Sequence, residues 1–496
     1  MAAGAEQPAA AARPSRTRLV STYYDTPDHT LARQGSTLRV RRRGRKFIQT
    51  IKAAPAPGES HIARGEWEDT VATNHPDPRA AQTGRFLPPD IADQLRPLFR
   101  TEVSRVTIPL RPEPETRIEA AIDRGRIRNG SDVPPEPISE IELELKSGMA
   151  TALYDVALKL LHVAPLRLER HSKAERGYRL AAHAPRDVKA VHAEPIEPHA
   201  GMTAESVLRR AGHACIDHLL RNEASALSGD PEGVHQMRVA VRRWRAVLSA
   251  FAPLFPAADQ RRRAADELKW FGEALGDARN LDVFTAGLLR TARGALPGAS
   301  EFERLSVAAE RRRQTAHAAA AAAISSTRYT QTLLAMLRWI DGDDWLGEDG
   351  QALRQPIEAV AVILLDRCVT RAHKRARDFP AQSAKKRHKL RIALKKLRYA
   401  AELFAGLYDA AAARQFIQRL KRLQDDLGDA NDVRVARDIV EDLSAPGRRS
   451  TGVAHAGHRM IAWHKHRVAQ NEPTLRRHLN ELLTAAPFWR PPAAAQ

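Results

Sequence analysis

His235-Gln-Met-Arg-Val-Ala-Val-Arg-Arg-Trp-Arg245 and His388-Lys-Leu-Arg-Ile-Ala-Leu-Lys-Lys-Leu-Arg398 are one pattern written twice, 153 positions apart (388 against 235). Alone, each stretch predicts one amphipathic helix, because its apolar residues return every three to four positions. Together they divide the second half of the chain into two copies of a helical unit. Two further pairs keep the spacing: Leu275-Gly-Asp-Ala-Arg-Asn280 and Leu427-Gly-Asp-Ala-Asn-Asp432 lie 152 apart (427 against 275), and Cys215 and Cys368 lie 153 apart. A period this long marks a duplicated bundle whose copies pack together. From Met202 onward the pattern is helical almost throughout, with loops expected near 228–233, 342–350 and 445–452. The paired Leu-Gly-Asp-Ala motifs read as helix ends, with Gly276 and Gly428 in the left-handed conformation and Asp277 and Asp429 capping the next helix.

On a helix at 100° per residue, positions i, i+3, i+7 and i+10 fall within about an 80° arc. His235, Arg238, Arg242 and Arg245 therefore form one basic stripe, and His388, Arg391, Lys395 and Arg398 form its copy. A solvated helix face would intersperse acids at i±4 to relieve the repulsion. Neither stripe has one, so an extended anion lying along the helix is expected, its phosphates matched by guanidinium forks. A lone His beside Arg is a poor metal ligand set, and a protonation-sensitive phosphate contact suits both histidines better. Cys215 and Cys368 read as small core residues.

The first half has a different period. Ser36-Thr-Leu-Arg-Val-Arg-Arg-Arg43, Phe47-Ile-Gln-Thr-Ile-Lys52 and Ile138-Ser-Glu-Ile-Glu-Leu-Glu-Leu-Lys146 alternate with period two, and turn signals separate them. This predicts antiparallel β structure over 19–180, with a helix near 150–162. Alternation puts Glu140, Glu142 and Glu144 opposite Ile141, Leu143 and Leu145, and Arg39, Arg41 and Arg43 opposite Leu38 and Val40. It also puts Arg64, Glu66 and Glu68 opposite Gly65 and Trp67. The bland reading is a set of solvated outer faces on a half-buried sheet. If the strands close on themselves, the same residues line an interior with cations for phosphate oxygens and carboxylates for Mg²⁺ or Mn²⁺. Residues 1–18 read as a tail, 181–201, with Pro185, Pro195 and Pro198, as a linker, and 488–496 as a second tail.

Tyr23-Tyr-Asp-Thr-Pro27, Leu38-Arg-Val-Arg41, Thr50-Ile-Lys52, Arg64-Gly-Glu-Trp-Glu68, Glu140-Ile-Glu-Leu-Glu-Leu-Lys146 and Ser172-Lys-Ala-Glu-Arg-Gly-Tyr178 resemble, in order and spacing, the CYTH family of triphosphate tunnel enzymes. The resemblance implies an eight-stranded antiparallel tunnel over 19–180 that hydrolyses triphosphates with a divalent metal, Mg²⁺ or Mn²⁺, often inorganic tripolyphosphate. Carried over by position, it implies phosphate contacts from Arg39, Arg41, Lys52, Arg64, Arg105 and Lys173. It implies metal and water contacts from Glu119, Asp123, Glu142 and Glu144, with Glu66, Glu68 and Glu140 as further carboxylates; Lys52, Asp123, Glu142 and Glu144 are the catalytic candidates. The histidine stripes, the repeat and the Leu-Gly-Asp turns over 202–487 resemble the CHAD family, the conserved-histidine α-helical domain. That resemblance implies two four-helix bundles related by a pseudo-twofold axis, with polyphosphate along the basic surface between them, and association with polyphosphate granules. The expected fold is thus an α+β multidomain chain, an antiparallel β tunnel barrel followed by an all-α domain.

One departure bears on activity. The tunnel family opens with a Glu-x-Glu-x-Lys strand, and no such segment precedes Tyr23. The expectation is therefore a metal-dependent triphosphatase, with a non-catalytic polyphosphate-binding protein as the alternative. A misplaced start codon explains the gap as well as degeneration does. A nucleic-acid-binding protein is the third reading, from charge alone: 79 Lys+Arg against 59 Asp+Glu leave a net +20. Aromatics are only 5% of residues, which weighs against stacking of single-stranded bases, so no specific nucleic acid is expected. Two cysteines cannot build a disulfide framework, and no apolar run reaches the ~18 residues of a membrane span, which together predict a soluble protein of the reducing cytoplasm.

Overall fold

The computed structural model describes residues 13–53, 65–130, 134–183, 188–255, 258–343, 345–346, 351–445 and 451–490. They form two compact units, 1–187 and 188–496.

The first unit is one antiparallel sheet. Its strands are β1 (Ser15–Asp25), β2 (Thr37–Arg43), β3 (Lys46–Ala53), β4 (Gly65–Val71), β5 (Arg96–Glu113), β6 (Thr116–Arg128) and β7 (Glu136–Ser147), in the order β4-β3-β2-β1-β5-β6-β7. Among the described residues the sheet has seven strands, one fewer than the eight-stranded tunnel implied by the resemblance, and β4 and β7 each pair on one side only. The register places Ser21 beside Arg41, Arg39 beside Thr50, Thr50 beside Glu68, Arg105 beside Asp123, and Asp123 beside Glu140. With side chains alternating across each strand, these residues share one face of the sheet. The opposite face of β1 to β3 is core: Tyr24, Leu38, Val40 and Ile51 pack with Leu31, Leu87 and Ile91.

Two helices finish this unit, α1 (Thr151–Leu161) and α2 (Lys173–Ala181). The first fulfils the expected helix near 150–162 and covers Ile118 with Ala152 and Val156. The second explains why Ser172-Lys-Ala-Glu-Arg-Gly-Tyr178 is a unit. Ser172 caps the helix and forms a capping box with Glu175. Gly177 lies so close to Phe99 that a Cβ there would sit 2.0 Å from the ring. The Tyr178 hydroxyl donates to Asp25 Oδ2 at 3.0 Å. Asp25 is fully buried and also accepts from the backbone N–H of Thr26, Leu31 and Ala32 at 2.8–3.0 Å, which fixes the turn after Tyr23-Tyr-Asp.

The second unit is all helix. Its first repeat comprises α3 (Ala204–Leu227), α4 (Pro231–Ala250), α5 (Ala258–Ala274) running into α6 (Gly276–Val283), and α7 (Ala299–Ile324). After a connecting helix, α8 (Thr327–Asp341), the second repeat comprises α9 (Ile357–Ala376), α10 (Ala384–Phe404), α11 (Ala410–Leu443) and α12 (Thr451–Leu483). Helix starts correspond at the spacing of the sequence repeat: 357 against 204, 384 against 231, 451 against 299. Among the described residues each repeat thus has four long helical segments, and Phe284, Phe302, Val433, Val440 and Met460 form a core drawn from both repeats.

Two readings change. Gly276 and Gly428 lie inside helical backbone and neither has a positive φ, so the Leu-Gly-Asp motifs are not left-handed caps. Gly276 instead leaves room for Arg238, whose nearest guanidinium nitrogen would lie 3.3 Å from a Cβ there. The stretch read as a linker is, from Val188, an extended strap bound to α3: Val191 N–H donates to Asn222 at 2.9 Å, and Ile196 is buried.

Candidate functional site

The charged face of the sheet gathers most of the residues singled out in the first half. On β2, Arg39 lies 3.3 Å from Glu66 and 3.9 Å from Glu68 of β4, and Arg41 donates to Ser21 at 3.2 Å. Lys52 on β3 pairs with Glu66 at 3.0 Å. Across the sheet, Arg105 grips Asp123 with two bonds of 2.8 and 2.7 Å and also meets Glu142. Lys173, projected from the first turn of α2, reaches Asp123 at 2.8 Å, Glu142 at 2.7 Å, and Glu140. Arg176, which the sequence reading did not single out, ties Glu136 and Glu140 to the same helix at 2.8 and 2.9 Å.

The two edges of the sheet approach each other. Glu66 on β4 contributes to the negative field that raises the ammonium pKa of Lys146 on β7, after the direct bond from Glu144. The sheet therefore curls around its charged face, and the cations of β2 and β3 oppose the carboxylates of β6 and β7.

Asp123 has no exposed surface. Burial pushes its carboxyl up, but Arg105 and Lys173 outweigh that and hold it below the usual carboxylate range. Glu142 behaves alike: burial raises it, and Lys173 and Arg105 bring it below its ordinary value. For Arg41, burial comes first and the Arg39 charge second, and both lower its pKa to about 10. The cation is under-compensated, as a phosphate-binding arginine would be before its ligand arrives.

Asp123, Glu140 and Glu142 present carboxylate oxygens within 4.8 Å of one another. These are hard donors of the kind Mg²⁺ or Mn²⁺ takes, so the donor set fits the implied cation. Glu119 and Glu144 face each other across β6 and β7, two pairs along from Ala121 and Glu142 and on the same face, with Lys146 at 2.5 Å from Glu144. The geometry thus groups Glu140 with Asp123 and Glu142, and sets Glu119 and Glu144 beside them. Arg64 lies outside the described residues.

In the helical unit, the stripes on α4 and α10 lie on neighbouring helices, and their electrostatics interlock. Burial lowers the Arg238 pKa to about 10, with Arg242 and Arg279 adding to it. Burial and then Arg279 lower the His235 pKa to about 4. From the second copy, burial and then Arg391 and Arg242 take Lys395 down to about 7. Arg391 is lowered by burial, against which Asp432 acts, and then by Arg242 and Arg434. Arg242 acts on members of both stripes, so the two meet in one cationic cluster. Its members are short of partners: the Nε atoms of Arg238, Arg242 and Arg391 and Nδ1 of His235 are buried without a hydrogen bond.

Arg398 stands apart, bonded to Gln424 at 3.0 Å and Glu402 at 2.8 Å. Arg245 is exposed and lies near Lys396 on the far side of α10. Arg279 and Arg434 join the cluster unannounced, both beside the Leu-Gly-Asp motifs. The signal was there: Arg279 follows Gly276 by three residues, and Gly276 is the residue that accommodates Arg238.

A curled antiparallel sheet with a cation-and-carboxylate interior, and a duplicated helical unit with a shared basic cluster, define two known domain classes. Residues 7–178 match the CYTH domain and residues 210–441 the CHAD domain, so the chain is a CYTH domain followed by a CHAD domain. Over 168 residues it is 34% identical to the inorganic triphosphatase of Haemophilus influenzae (strain ATCC 51907 / DSM 11121 / KW20 / Rd), a match covering 33% of this chain and 46% of that protein. The chain thus spans about half the length of this curated relative. The crystal structure of the CHAD domain from the plant Ricinus communis covers 60% of this chain and 98% of its own, with 27% identity and a TM-score of 0.53. No helix among the described residues is long and apolar enough to cross a membrane.

Proposed function

We propose that the CYTH domain hydrolyses inorganic triphosphate with Mg²⁺ or Mn²⁺, and that the CHAD domain holds inorganic polyphosphate on its cationic cluster. The observation that carries the first part is the opposition, across one curled sheet, of Arg39, Arg41 and Lys52 to Asp123, Glu140 and Glu142. The match of residues 7–178 to the CYTH domain and the likeness to an inorganic triphosphatase over 168 residues support it.

Arg39, Arg41 and Lys52 bind phosphate oxygens, and Arg41 is the most strongly drawn to them because its charge is least compensated. Arg105 and Lys173 are shared between their carboxylates and the substrate, so that a bound triphosphate exchanges some internal pairs for pairs to phosphate. The divalent cation, when bound, supplies an activated water and shields the anhydride oxygens. Asp123, Glu140 and Glu142 would hold it, and Arg105 and Lys173 keep the Asp123 and Glu142 carboxyls below the usual carboxylate range and so ionised at neutral pH. Glu68, bonded to Thr50 at 2.9 Å, keeps β3 and β4 in register under Lys52.

The test is phosphate release from tripolyphosphate with either metal, comparing this chain with Glu140→Gln/Glu142→Gln. Release should fall by ~10²-fold or more in the variant, the scale on which positioned groups at a phosphoryl centre act. Tight polyphosphate binding with no metal-dependent release in the unaltered chain makes this a phosphate-binding protein instead. Granule association belongs to the same reading, and a tagged chain that stays diffuse in polyphosphate-rich cells counts against it.

The cluster also makes polyphosphate binding pH-dependent. Lys395 has its free-state pKa lowered to about 7. A bound polyanion restores it towards the ordinary lysine value near 10.4. The bound state then holds more protons than the free state above pH 7, so affinity is full below that pH and falls as pH rises. The slope from this group approaches tenfold per pH unit. Calorimetry at pH 8.5 in two buffers of different ionisation enthalpy should record proton uptake, and Lys395→Arg should flatten the profile. Uptake unchanged by Lys395→Arg rejects the assignment.

A further inference from the structure

The repeat allows the two copies to be compared site by site, and at one place they differ in charge. In the first copy the groove between α3 and α4 is filled by the strap. His218 Nε2 contacts the Val191 carbonyl at 3.0 Å, Asn222 donates to the same carbonyl at 2.9 Å, and Arg243 donates to the Glu194 carbonyl at 3.0 Å. Cys215 is buried at the floor, and Arg243 is the charge that acts on it. This groove therefore works by gripping peptide oxygens.

Moved on by 153 positions, Cys215 becomes Cys368, Arg243 becomes Lys396, His218 becomes Arg371 and Ala214 becomes Arg367. These residues meet again between α9 and α10. Arg367, Cys368, Arg371 and Lys396 line a cavity of about 110 Å³ together with Ser249 and Ala252 from the end of α4. Cations thus stand where the first copy has His218 and Ala214, the charge of Arg243 is kept as Lys396, and no strap crosses this groove among the described residues. Lys396 bonds only to Ser249 Oγ, at 2.9 Å, and none of Arg367, Arg371, Arg245 and Lys396 pairs with a carboxylate among the described residues. Burial and the charges of Arg371 and Arg245 lower the Lys396 pKa.

Size narrows the ligand. Pockets for nucleotide-sized molecules run from roughly 300 Å³ upward, whereas this one has room for about three to four waters at ~30 Å³ each. Such a volume, lined by cations with no acid, fits one tetrahedral oxyanion.

We propose that the groove between α9 and α10 is a second anion site, separate from the stripe cluster, which takes a single phosphate group over Cys368. The group comes either from free orthophosphate or from the end of a phosphate chain. The site goes beyond the function proposed above and does not depend on it.

Cys368 is a built-in reporter, because the chain has one other cysteine and Cys215 is buried. The experiment alkylates the full chain with iodoacetamide, a neutral reagent, and follows both cysteines by peptide mass spectrometry. Millimolar orthophosphate is expected to slow Cys368 modification several-fold relative to chloride at equal ionic strength. Lys396→Met and the surface variant Arg371→Ser should each abolish the protection, and Arg242→Ala should keep it; Cys215 staying unmodified certifies each variant as folded. Protection by orthophosphate identifies the free ion as a ligand. Protection by long polyphosphate alone, retained in Arg242→Ala, identifies the chain end. Protection that chloride matches, that Arg242→Ala removes, or that no phosphate species produces overturns the proposal.

Discussion

Replacing Asp123 by alanine is expected to loosen the CYTH domain as well as silence it. Asp123 is fully buried and accepts two bonds from Arg105 and one from Lys173. Removing one partner of a buried ion pair typically costs about 3–5 kcal/mol, because the other charge is left without compensation in a place water does not reach. Here Arg105 keeps Glu142, and Lys173 keeps Glu140 and Glu142, so the lower end, about 3 kcal/mol, is the expected loss. Hydrogen exchange in β5, β6 and β7 reads it domain by domain, where a single melting curve of a two-domain chain does not. The pH dependence carries the same signature. Asp123 and Glu142 have depressed folded-state pKa values, so their contribution is present above the ordinary carboxylate range near 4 and is lost as pH falls through the lower folded values. The variant should lose part of that acid sensitivity. A loss below about 1 kcal/mol, the range of an exposed pair, would mean that the network is screened and not structural.

How much of this was legible follows from the range of each interaction. Alternation fixed the shared face of Glu140, Glu142 and Glu144, and of Arg39 and Arg41, because period two is a local property of the strand. The common face of His235, Arg238 and Arg242 on α4, and of Arg391 and Lys395 on α10, was legible for the same reason at period 3.6, whereas Arg245 and Arg398 at the stripe ends turn to other neighbours. What escaped depends on curvature and on neighbours distant in sequence. Nothing local says that β4 approaches β7, or that Lys173 enters the site from a helix capped by Ser172 and Glu175. Arg279 escapes the sequence pattern because its motif reads as a helix end, whereas Gly276 is helical and serves Arg238 by being small. The strap reads as a linker in sequence because its prolines and lack of period hide the hydrogen bonds it makes to α3. Proline-bearing extended segments read alike whether they are free or bound.

The helical cluster leads to an expectation with two opposite signs. Arg242 lowers His235, Arg238, Arg279, Arg391 and Lys395, and its own Nε has no partner. In the free protein it is therefore a source of repulsion, and Arg242→Glu should raise the hydrogen-exchange protection of α4 and α10 while turning several uncompensated cations into paired ones. The same change should weaken polyphosphate by ~2–5 kcal/mol, the cost of removing a desolvated charge from an interface, which is roughly 30- to several-thousand-fold in Kd. Reversing one charge removes two units of neutralisation, so the slope of log K against log salt should also flatten by about 1.4, on the scale found for single-stranded polyanions. A structural arginine behaves otherwise, losing stability and binding together. Stability and affinity measured on the same preparation, with Arg398→Glu as the comparison, separate the cases. Arg398 already has Glu402 and Gln424, so its reversal should cost stability and change affinity much less. Equal losses of affinity from both variants would place the anion over the whole helix surface and not at the junction of the two stripes.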